Sequence, residues 1–153
     1  MTGARSQTIF YTIAALIALI GLADATYLTV THLTGEDAVC GSGDCSAVLG
    51  SVYATVAGIP TAAFGALAYF AVFSSALLAA FGYTRARIFL TLVVAVMFGV
   101  TVWLLYVQAF ILHAFCPFCL LSAALTFFLA GIIVATPSTT PQVAAATEGG
   151  SSH

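Results

Sequence analysis

The chain has 153 residues, of which 62% are hydrophobic and only 5% are charged. Soluble domains carry roughly 25% charged residues, so three basic and five acidic residues cannot cover a soluble surface. The net charge of −2 and the lack of a basic patch in the sequence exclude nucleic acid as a partner. We therefore expect the bilayer to be the solvent for most of the chain.

Four apolar segments are long enough to cross a bilayer, since a spanning helix needs about 20 mostly apolar residues. Every face of each predicted helix carries apolar side chains, as expected for helices that contact both lipid and one another. The predicted spans are Ile9–Leu33, Ile59–Phe81, Ile88–Leu112 and Pro117–Ala135. The sequence thus predicts an all-α integral membrane protein, a four-transmembrane-helix bundle with an extracytoplasmic loop between helices 1 and 2.

The end of the chain differs in composition from the apolar segments. It reads TPSTTPQVAAATEGGSSH from Thr136, which is polar and contains two prolines. Such a segment cannot bury enough apolar surface to fold. We expect a four-helix membrane domain at 1–136 and a disordered polar tail at 137–153.

The arginines predict the orientation in the membrane. Arg5 precedes the first span, and Arg85 and Arg87 lie between the second and third. Positive charge in short loops marks the cytoplasmic side, and an even number of crossings separates these sites. We therefore expect a bacterial inner (cytoplasmic) membrane protein whose two termini are cytoplasmic and whose four cysteines are extracytoplasmic, where oxidising conditions suit disulfide chemistry.

Cys116 and Cys119 form a C-P-F-C motif at the predicted start of the fourth helix. Proline is well tolerated at the first helical position, which places Cys116 near the N-cap and Cys119 one turn further on the same face. The unpaired N–H groups and the positive end of the helix dipole favour a thiolate there. The motif predicts a redox-active pair, with a static disulfide or a buried thiol pair as the alternative.

Cys40 and Cys45 enclose Gly-Ser-Gly-Asp in the loop after the first span. The glycines make this loop flexible, as a pair that carries electrons between an outside protein and a buried site requires. By itself the spacing equally suits a structural disulfide that only holds the loop rigid. A Cys₄ zinc site formed by both pairs is a further alternative, although the oxidising exterior disfavours it.

Four motifs in this order resemble the vitamin K epoxide reductase family, and its bacterial members most closely. They are the loop pair with CSAVLGSVY at 45–53, GIP at 58–60, FG at 64–65 and CPFC at 116–119. The resemblance covers nearly the whole chain, from the first span through the fourth. It implies a four-helix bundle that holds a quinone near the outer face of the membrane.

The resemblance also implies a route for electrons. A secreted or membrane-anchored thioredoxin-like (DsbA-like) protein would be oxidised by Cys40 and Cys45, and Cys45 would form a transient bridge to Cys116. Cys119 would lie against the quinone (ubiquinone or menaquinone, or one of the vitamin K type) and pass two electrons to the membrane quinone pool. Ser51 would hydrogen-bond near the quinone carbonyl or the reactive sulfur.

Two positions depart from the vertebrate members of the family. Thr61 stands where those enzymes have asparagine, three residues before the Phe64-Gly65 pair, and Ala123 stands where they have tyrosine. We therefore expect plain quinone reduction rather than vitamin K epoxide chemistry. Many bacterial relatives carry a fused thioredoxin-like domain, and without one after Thr136 we expect the partner to be a separate protein.

Other polar and aromatic residues are candidates for supporting roles. Asp24, inside the first span, is either a proton acceptor or a polar contact, because an acid at membrane depth is costly. His113 is either a base for the thiols or an interfacial residue. Gln108 is predicted to bond between helices. Further aromatic residues could line a ring pocket or belong to the core; they are Phe64, Tyr69, Trp103 and Tyr106.

Two other functions fit parts of the pattern. A quinone oxidase of the DsbB type would carry its C-x-x-C in the first outer loop, the reverse of the order here. A non-enzymatic four-span membrane module would use its outer disulfides only as staples. Inert, fully oxidised cysteines in the presence of reductant and quinone would indicate the staple.

Overall fold

The computed structural model describes residues 2–36 and 45–136. Among these residues, four helical segments are long and apolar enough to cross a membrane. The corresponding α-helices are α1 (Thr2–Thr34), α3 (Thr61–Ala80), α4 (Thr84–Tyr106) and α5 (Pro117–Ala135), and a short helix α2 (Cys45–Leu49) precedes α3. The prediction of an all-α membrane bundle is confirmed, with α5 at the predicted bounds.

The first and third spanning helices begin earlier than their apolar segments. α1 begins at Thr2 rather than Ile9, and α4 begins at Thr84 rather than Ile88. Both extensions lie at one end of the bundle, where Arg87 Nη2 donates to Gln7 Oε1 at 2.7 Å and the guanidinium lies 5.4 Å from the ring centre of Tyr11. This contact places the start of α1, which carries Arg5, and the start of α4, which carries Arg85 and Arg87, at the same end of the bundle.

Small residues allow α1 and α3 to pack closely. Ala14, Ala18 and Ala25 on α1 are buried against the α3 side of the core. Without a hydrophobic drive between helices in lipid, such small residues favour association because they let backbones approach. The approach is closest at Gly21, where an added Cβ would overlap the ring of Tyr69.

A two-residue turn returns the chain from α2 to the bundle. The antiparallel strands β1 (Thr55–Val56) and β2 (Ile59–Pro60) pair across it. Ala57 and Gly58 both have positive φ, at 53° and 81°, as a tight hairpin of this length requires. α3 begins directly after Pro60, so Gly58-Ile59-Pro60 is a turn followed by a helix start, as expected, while the hairpin itself was not predicted.

The end of the third span is wound more widely than an α-helix. After α4, residues Val107–Leu112 form a π-helical segment, and His113 follows in the left-handed conformation with φ 49°. π-Helical segments are frequent at functional sites. Here the segment directs the chain from α4 to Cys116, which is the N-cap of α5.

The contact between Gly21 and Tyr69 generates a stability prediction. Gly21→Ala places a methyl group inside the ring of a fully buried tyrosine that is held by hydrogen bonds. We expect a loss of about 1–3 kcal/mol, the usual cost of overpacking, measured by thermal or denaturant unfolding in detergent. Gly99→Ala is the matched control, because nothing lies within 4 Å of its added Cβ. Equal stabilities of the two variants would contradict the packing described.

Candidate functional site

Two sulfur atoms from distant parts of the chain meet at one end of the bundle. Cys45 opens α2 and Cys116 is the N-cap of α5, and their Sγ atoms lie 3.2 Å apart. Cys45 is 2% exposed and Cys116 is 0% exposed. Cys45 belongs to a disulfide, whereas Cys116 and Cys119 are free thiols.

This arrangement has the geometry of thiol–disulfide exchange. The reaction is an attack by a thiolate on a disulfide sulfur, and reacting atoms about 3–3.5 Å apart are in near-attack position. Cys116 supplies the thiol and Cys45 the disulfide sulfur. A sulfur already in a disulfide is not a thiolate ligand, so the arrangement favours redox chemistry over the Cys₄ zinc alternative.

The π-helical segment holds Cys116 in place through Gln108. The buried side chain of Gln108 accepts the backbone N–H of Cys116 on its Oε1 at 3.4 Å. Its backbone carbonyl accepts the N–H of Ala114 at 3.2 Å. Gln108 therefore bonds to two residues of the segment that connects the π-helical segment to α5. Cys45, Val48 and Ala114 pack around Cys116 and bury its sulfur from solvent.

A cavity of about 450 Å³ lies beside these sulfurs, between α1, α3, α4 and α5. Its volume is in the usual range for small-molecule sites, roughly 300–1,000 Å³. Cys119 lines it from α5. Leu92, Val96 and Val100 line it from α4, and each is about half exposed or more.

A cluster of hydroxyl groups lies in the cavity wall formed by α3 and α5. The Tyr69 hydroxyl is 2.9 Å from Ser122 Oγ and 3.2 Å from Thr126 Oγ1, and it donates to the Ser122 carbonyl at 3.0 Å. The buried carboxyl group of Asp24 faces the same cavity from α1. A mostly apolar wall with a few polar groups and one sulfur suits a flat, apolar ring that carries polar oxygen atoms.

The sequence model of the vitamin K epoxide reductase family matches residues 12–134. This match spans all four membrane helices and both the C-x-x-C and Cys45. The chain belongs to the vitamin K epoxide reductase family. It is therefore a multi-pass membrane oxidoreductase of a family that links disulfide chemistry to quinones.

In this vitamin K epoxide reductase homologue, most of the predicted site residues line the same cavity. They include Cys119 and the residues predicted to assist quinone binding or to have a polar role, namely Ser51, Thr61, Phe64, Ala123 and Asp24. Cys45 and Cys116 form the buried cluster next to it. Cys40 falls outside the described residues, so its predicted role is carried forward as a prediction.

The hydroxyl groups of Ser51 and Thr61 already have backbone partners. Ser51 Oγ donates to the Val48 carbonyl at 2.7 Å, and Thr61 Oγ1 donates to the Tyr53 carbonyl at 3.1 Å. The Thr61 bond joins the loop to the start of α3, whereas the Ser51 bond lies within the loop and closes the end of α2. Each oxygen keeps its acceptor capacity, but its hydrogen is directed at the protein. Donation from Ser51 to a ligand would require this hydroxyl to rotate.

The structure places some of the predicted aromatic and polar site residues in the cavity wall and others outside it. Phe64 and Tyr69 line the cavity, whereas Trp103 and Tyr106 stack on each other with ring centres 6.0 Å apart and are half exposed outside it. His113 is exposed and does not line the cavity. The predicted role of His113 as a base for the thiols therefore gains no support from its position.

Sequence reasoning missed the hydroxyl partners of Tyr69 and the role of Gln108. Ser122 and Thr126 follow Cys119 by three and seven residues, which is the spacing of one helix face. That periodicity is the signal that could have placed them beside the reactive sulfur. Gln108 was expected to bond between helices, and its side chain bonds from the end of the third span to the backbone of Cys116, the N-cap of α5.

Hydrogen bonds lower the pKa of the Cys116 thiol from its ordinary 9.0 to about 6. The largest contribution comes from the thiol of Cys119, and the backbone N–H groups of Cys119 and Phe118 add to it, while burial and Asp24 act in the opposite direction. These N–H groups are the unpaired donors of the first turn of α5. When the pair is reduced, Cys116 is thus mainly a thiolate at neutral pH.

This pKa predicts the pH dependence of the reduced pair. With serine at positions 40 and 45, the ultraviolet absorbance of a thiolate should appear with a midpoint of about pH 6. Adding Cys119→Ala removes the principal donor to Cys116, so the midpoint should move upward toward the ordinary value of 9.0. A midpoint that does not depend on Cys119 would show that another group stabilises the thiolate.

Proposed function

We propose that this protein is a quinone-dependent thiol oxidoreductase that generates disulfides for extracytoplasmic proteins. Electrons would pass from a thioredoxin-like (DsbA-like) partner to Cys40 and Cys45, then to Cys116 and Cys119, and then to quinone. The observation that carries the proposal is the 3.2 Å separation of Cys45 Sγ and Cys116 Sγ, with Cys119 lining the adjoining cavity.

The first exchange takes place at the loop pair. The partner's dithiol would reduce the disulfide formed by Cys40 and Cys45 and leave as a disulfide, so two electrons enter the loop. Cys45 would then attack Cys116 in an oxidised C-x-x-C, forming a Cys45–Cys116 bridge and releasing the thiol of Cys119. Attack by Cys40 on that bridge would release Cys116 and restore the loop disulfide.

The described state fits the end of this exchange. Cys45 is in a disulfide, and Cys116 and Cys119 are reduced. The low pKa of Cys116 makes it a good leaving group from the Cys45–Cys116 bridge, because leaving thiols of low pKa depart faster. The dithiol of the C-x-x-C is then reduced and positioned next to the cavity.

The cavity has the features that a quinone requires. Its walls are largely apolar and its volume is about 450 Å³. A quinone dissolved in lipid would enter past the exposed side chains of Leu92 and Val96. When bound, a quinone would accept two electrons and two protons from the reduced pair and its surroundings. Cys119 and Phe64 would contact its ring, and the geometry does not distinguish ubiquinone from menaquinone or a vitamin K-type ring.

Thr61 and Ala123, the two positions that differ from the vertebrate enzymes, support plain quinone reduction. Ala123 is buried in the cavity wall and offers no hydrogen bond, and the hydroxyl of Thr61 is bonded to Tyr53. The contacts that asparagine and tyrosine could make at these positions are therefore missing from this wall. We propose reduction of quinone rather than of a vitamin K epoxide.

The orientation and domain division extend this proposal. Gln7 and Arg87 meet at the end of the bundle opposite the sulfurs, which is compatible with cytoplasmic arginines and extracytoplasmic cysteines in a bacterial inner membrane. The C-terminus would also be cytoplasmic. We propose 1–136 as the membrane domain, and the predicted tail at 137–153 lies outside the described residues.

A non-enzymatic module stapled by disulfides is the second candidate. The disulfide of Cys45 alone is compatible with it. The free thiols of Cys116 and Cys119 within reach of that disulfide favour the enzyme instead. Thiol trapping with a reduced thioredoxin-like substrate and quinone distinguishes the two, since staples would not change state.

Removal of Cys119 should trap the exchange intermediate. In Cys119→Ala, Cys116 has no C-x-x-C partner and lies 3.2 Å from Cys45, so a Cys45–Cys116 bridge should accumulate and quinone reduction should stop. Alkylation followed by non-reducing peptide mass spectrometry detects the bridge. Cys45→Ala/Cys119→Ala is the control and should lack it. A single variant with no bridge and with continued quinone reduction would overturn the proposed route.

Replacement of Cys40 should separate the two halves of the route. In Cys40→Ser, oxidation of the thioredoxin-like substrate should be lost because the loop disulfide cannot form. Small thiols should still reduce Cys116 and Cys119, since these residues do not depend on the loop pair. Alkylation mass shifts of substrate and enzyme report both steps. Full substrate oxidation by this variant would show that the assigned order is wrong.

A further inference from the structure

Asp24 is the one carboxyl group among the described residues that lines the cavity. It is 8% exposed, and its Oδ2 is buried without a hydrogen-bond partner in the described part of the chain. An acid inside a membrane span is costly and is usually retained for a function. The carboxyl group of Asp24 therefore lies in the cavity wall with one buried oxygen unpaired among the described residues.

The surroundings of Asp24 favour the neutral acid over the carboxylate. The described residues that line the cavity include no arginine or lysine, and burial of an unpaired charge in apolar surroundings is strongly unfavourable. The titratable side chains that share the cavity are Tyr69 on α3, Cys119 on α5, His32 on α1 and Tyr53 before the hairpin. The part of α4 that lines the cavity contributes none.

Asp24 is also close enough to the reactive pair for its charge to matter. A negative charge on Asp24 opposes the Cys116 thiolate, so thiolate and neutral acid are mutually favourable. Asp24 lines the cavity from α1, and Cys119, one turn after Cys116, lines it from α5. The cavity thus combines a source of electrons with a nearby source of a proton.

The proton balance of the reaction leaves a need for such a source. Reduction of a quinone to a quinol takes two electrons and two protons, and a dithiol that forms a disulfide supplies two electrons. With Cys116 already a thiolate, only the Cys119 thiol still carries a proton. One more proton must therefore come from another group in the cavity.

We propose that Asp24 is the proton donor that supplies this second proton to the quinone. The inference rests on the proposed function. In balanced form, the Cys116 thiolate, the Cys119 thiol, the Asp24 acid and quinone give the Cys116–Cys119 disulfide, the Asp24 carboxylate and quinol. The carboxylate then regains a proton from water at the outer face, which restores the starting state.

Two readouts test the charge state of Asp24 without quinone. Infrared spectra of the reduced protein at neutral pH should contain the carbonyl band of a buried protonated carboxylic acid, and Asp24→Asn should lack it. Glu36→Gln is the matched control, because Glu36 is exposed just after α1 and its removal should leave the band unchanged. The titration midpoint of Cys116 should be the same in the wild type and in Asp24→Asn, since the side chain at position 24 is neutral in both.

Single-turnover kinetics test the transfer itself. Pre-reduced protein is mixed anaerobically with decylubiquinone or menadione, and quinol formation is followed by absorbance at several pH values. We expect Asp24→Asn to slow quinol formation at neutral pH by about 100-fold, the lower range for general acid catalysis, and Asp24→Glu to stay within about tenfold of wild type. In Asp24→Asn the rate should also fall as pH rises above about 6, because Cys116 then loses the proton that it could supply in place of Asp24.

The outcomes separate this inference from the proposed function. Exchange between Cys45 and Cys116, followed by trapping, should be unchanged in Asp24→Asn. Wild-type protein that fails to reduce either quinone would contradict the proposed function. Wild-type activity with an equally fast Asp24→Asn variant, or a wild-type spectrum without the acid band, would contradict only the role of Asp24. Equal slowing of exchange and quinol formation would show a structural role and would also overturn the inference.

Discussion

The approach of Cys45 to Cys116 is the contact on which the other features of this protein depend. A 3.2 Å separation between sulfurs 71 positions apart requires the segment that begins at Cys45 to pack against the start of α5. The turn at Ala57-Gly58 and the bond from Thr61 to Tyr53 return that loop to α3. The π-helical segment and Gln108 bring Cys116 to the same place from the opposite side. Exchange between the two sulfurs requires that the hairpin on one side and the π-helical segment on the other both hold this geometry.

The helix bundle also forms a largely apolar cavity next to Cys119. The small face of α1 lets Tyr69 of α3 pass against Gly21 and reach the hydroxyl groups of α5. This arrangement closes one wall of the cavity with a tyrosine that is itself fully buried. Leu92 and Val96 of α4 line another part of the cavity and are more than half exposed. Cys119 thus lines the cavity, while Cys116 beside it is buried from solvent.

Much of this arrangement could be predicted from the sequence because membrane burial imposes simple rules. The four spans, the start of α5 at Pro117 and the shared face of Cys116 and Cys119 follow from hydrophobic length and helix capping. The contact between the two cysteine pairs followed from topology and from the family motifs. The hairpin did not, since Ala57 in a left-handed conformation is uncommon and carries no turn signature. The cluster around Tyr69 also depends on which helix faces meet, and nearly uniform apolar segments do not show their inward faces.

The central claim is that electrons cross from the loop pair to the C-x-x-C and leave on a quinone. The most direct measurement places purified wild-type protein in quinone-loaded vesicles with a limiting amount of reduced thioredoxin-like substrate. Substrate disulfide, quinol and the thiol state of all four cysteines are then quantified together by alkylation and mass spectrometry. The account predicts one quinol for each substrate disulfide, with Cys116 and Cys119 alternating between thiol and disulfide. Substrate oxidation without quinol, or cysteines that never change state, would contradict it.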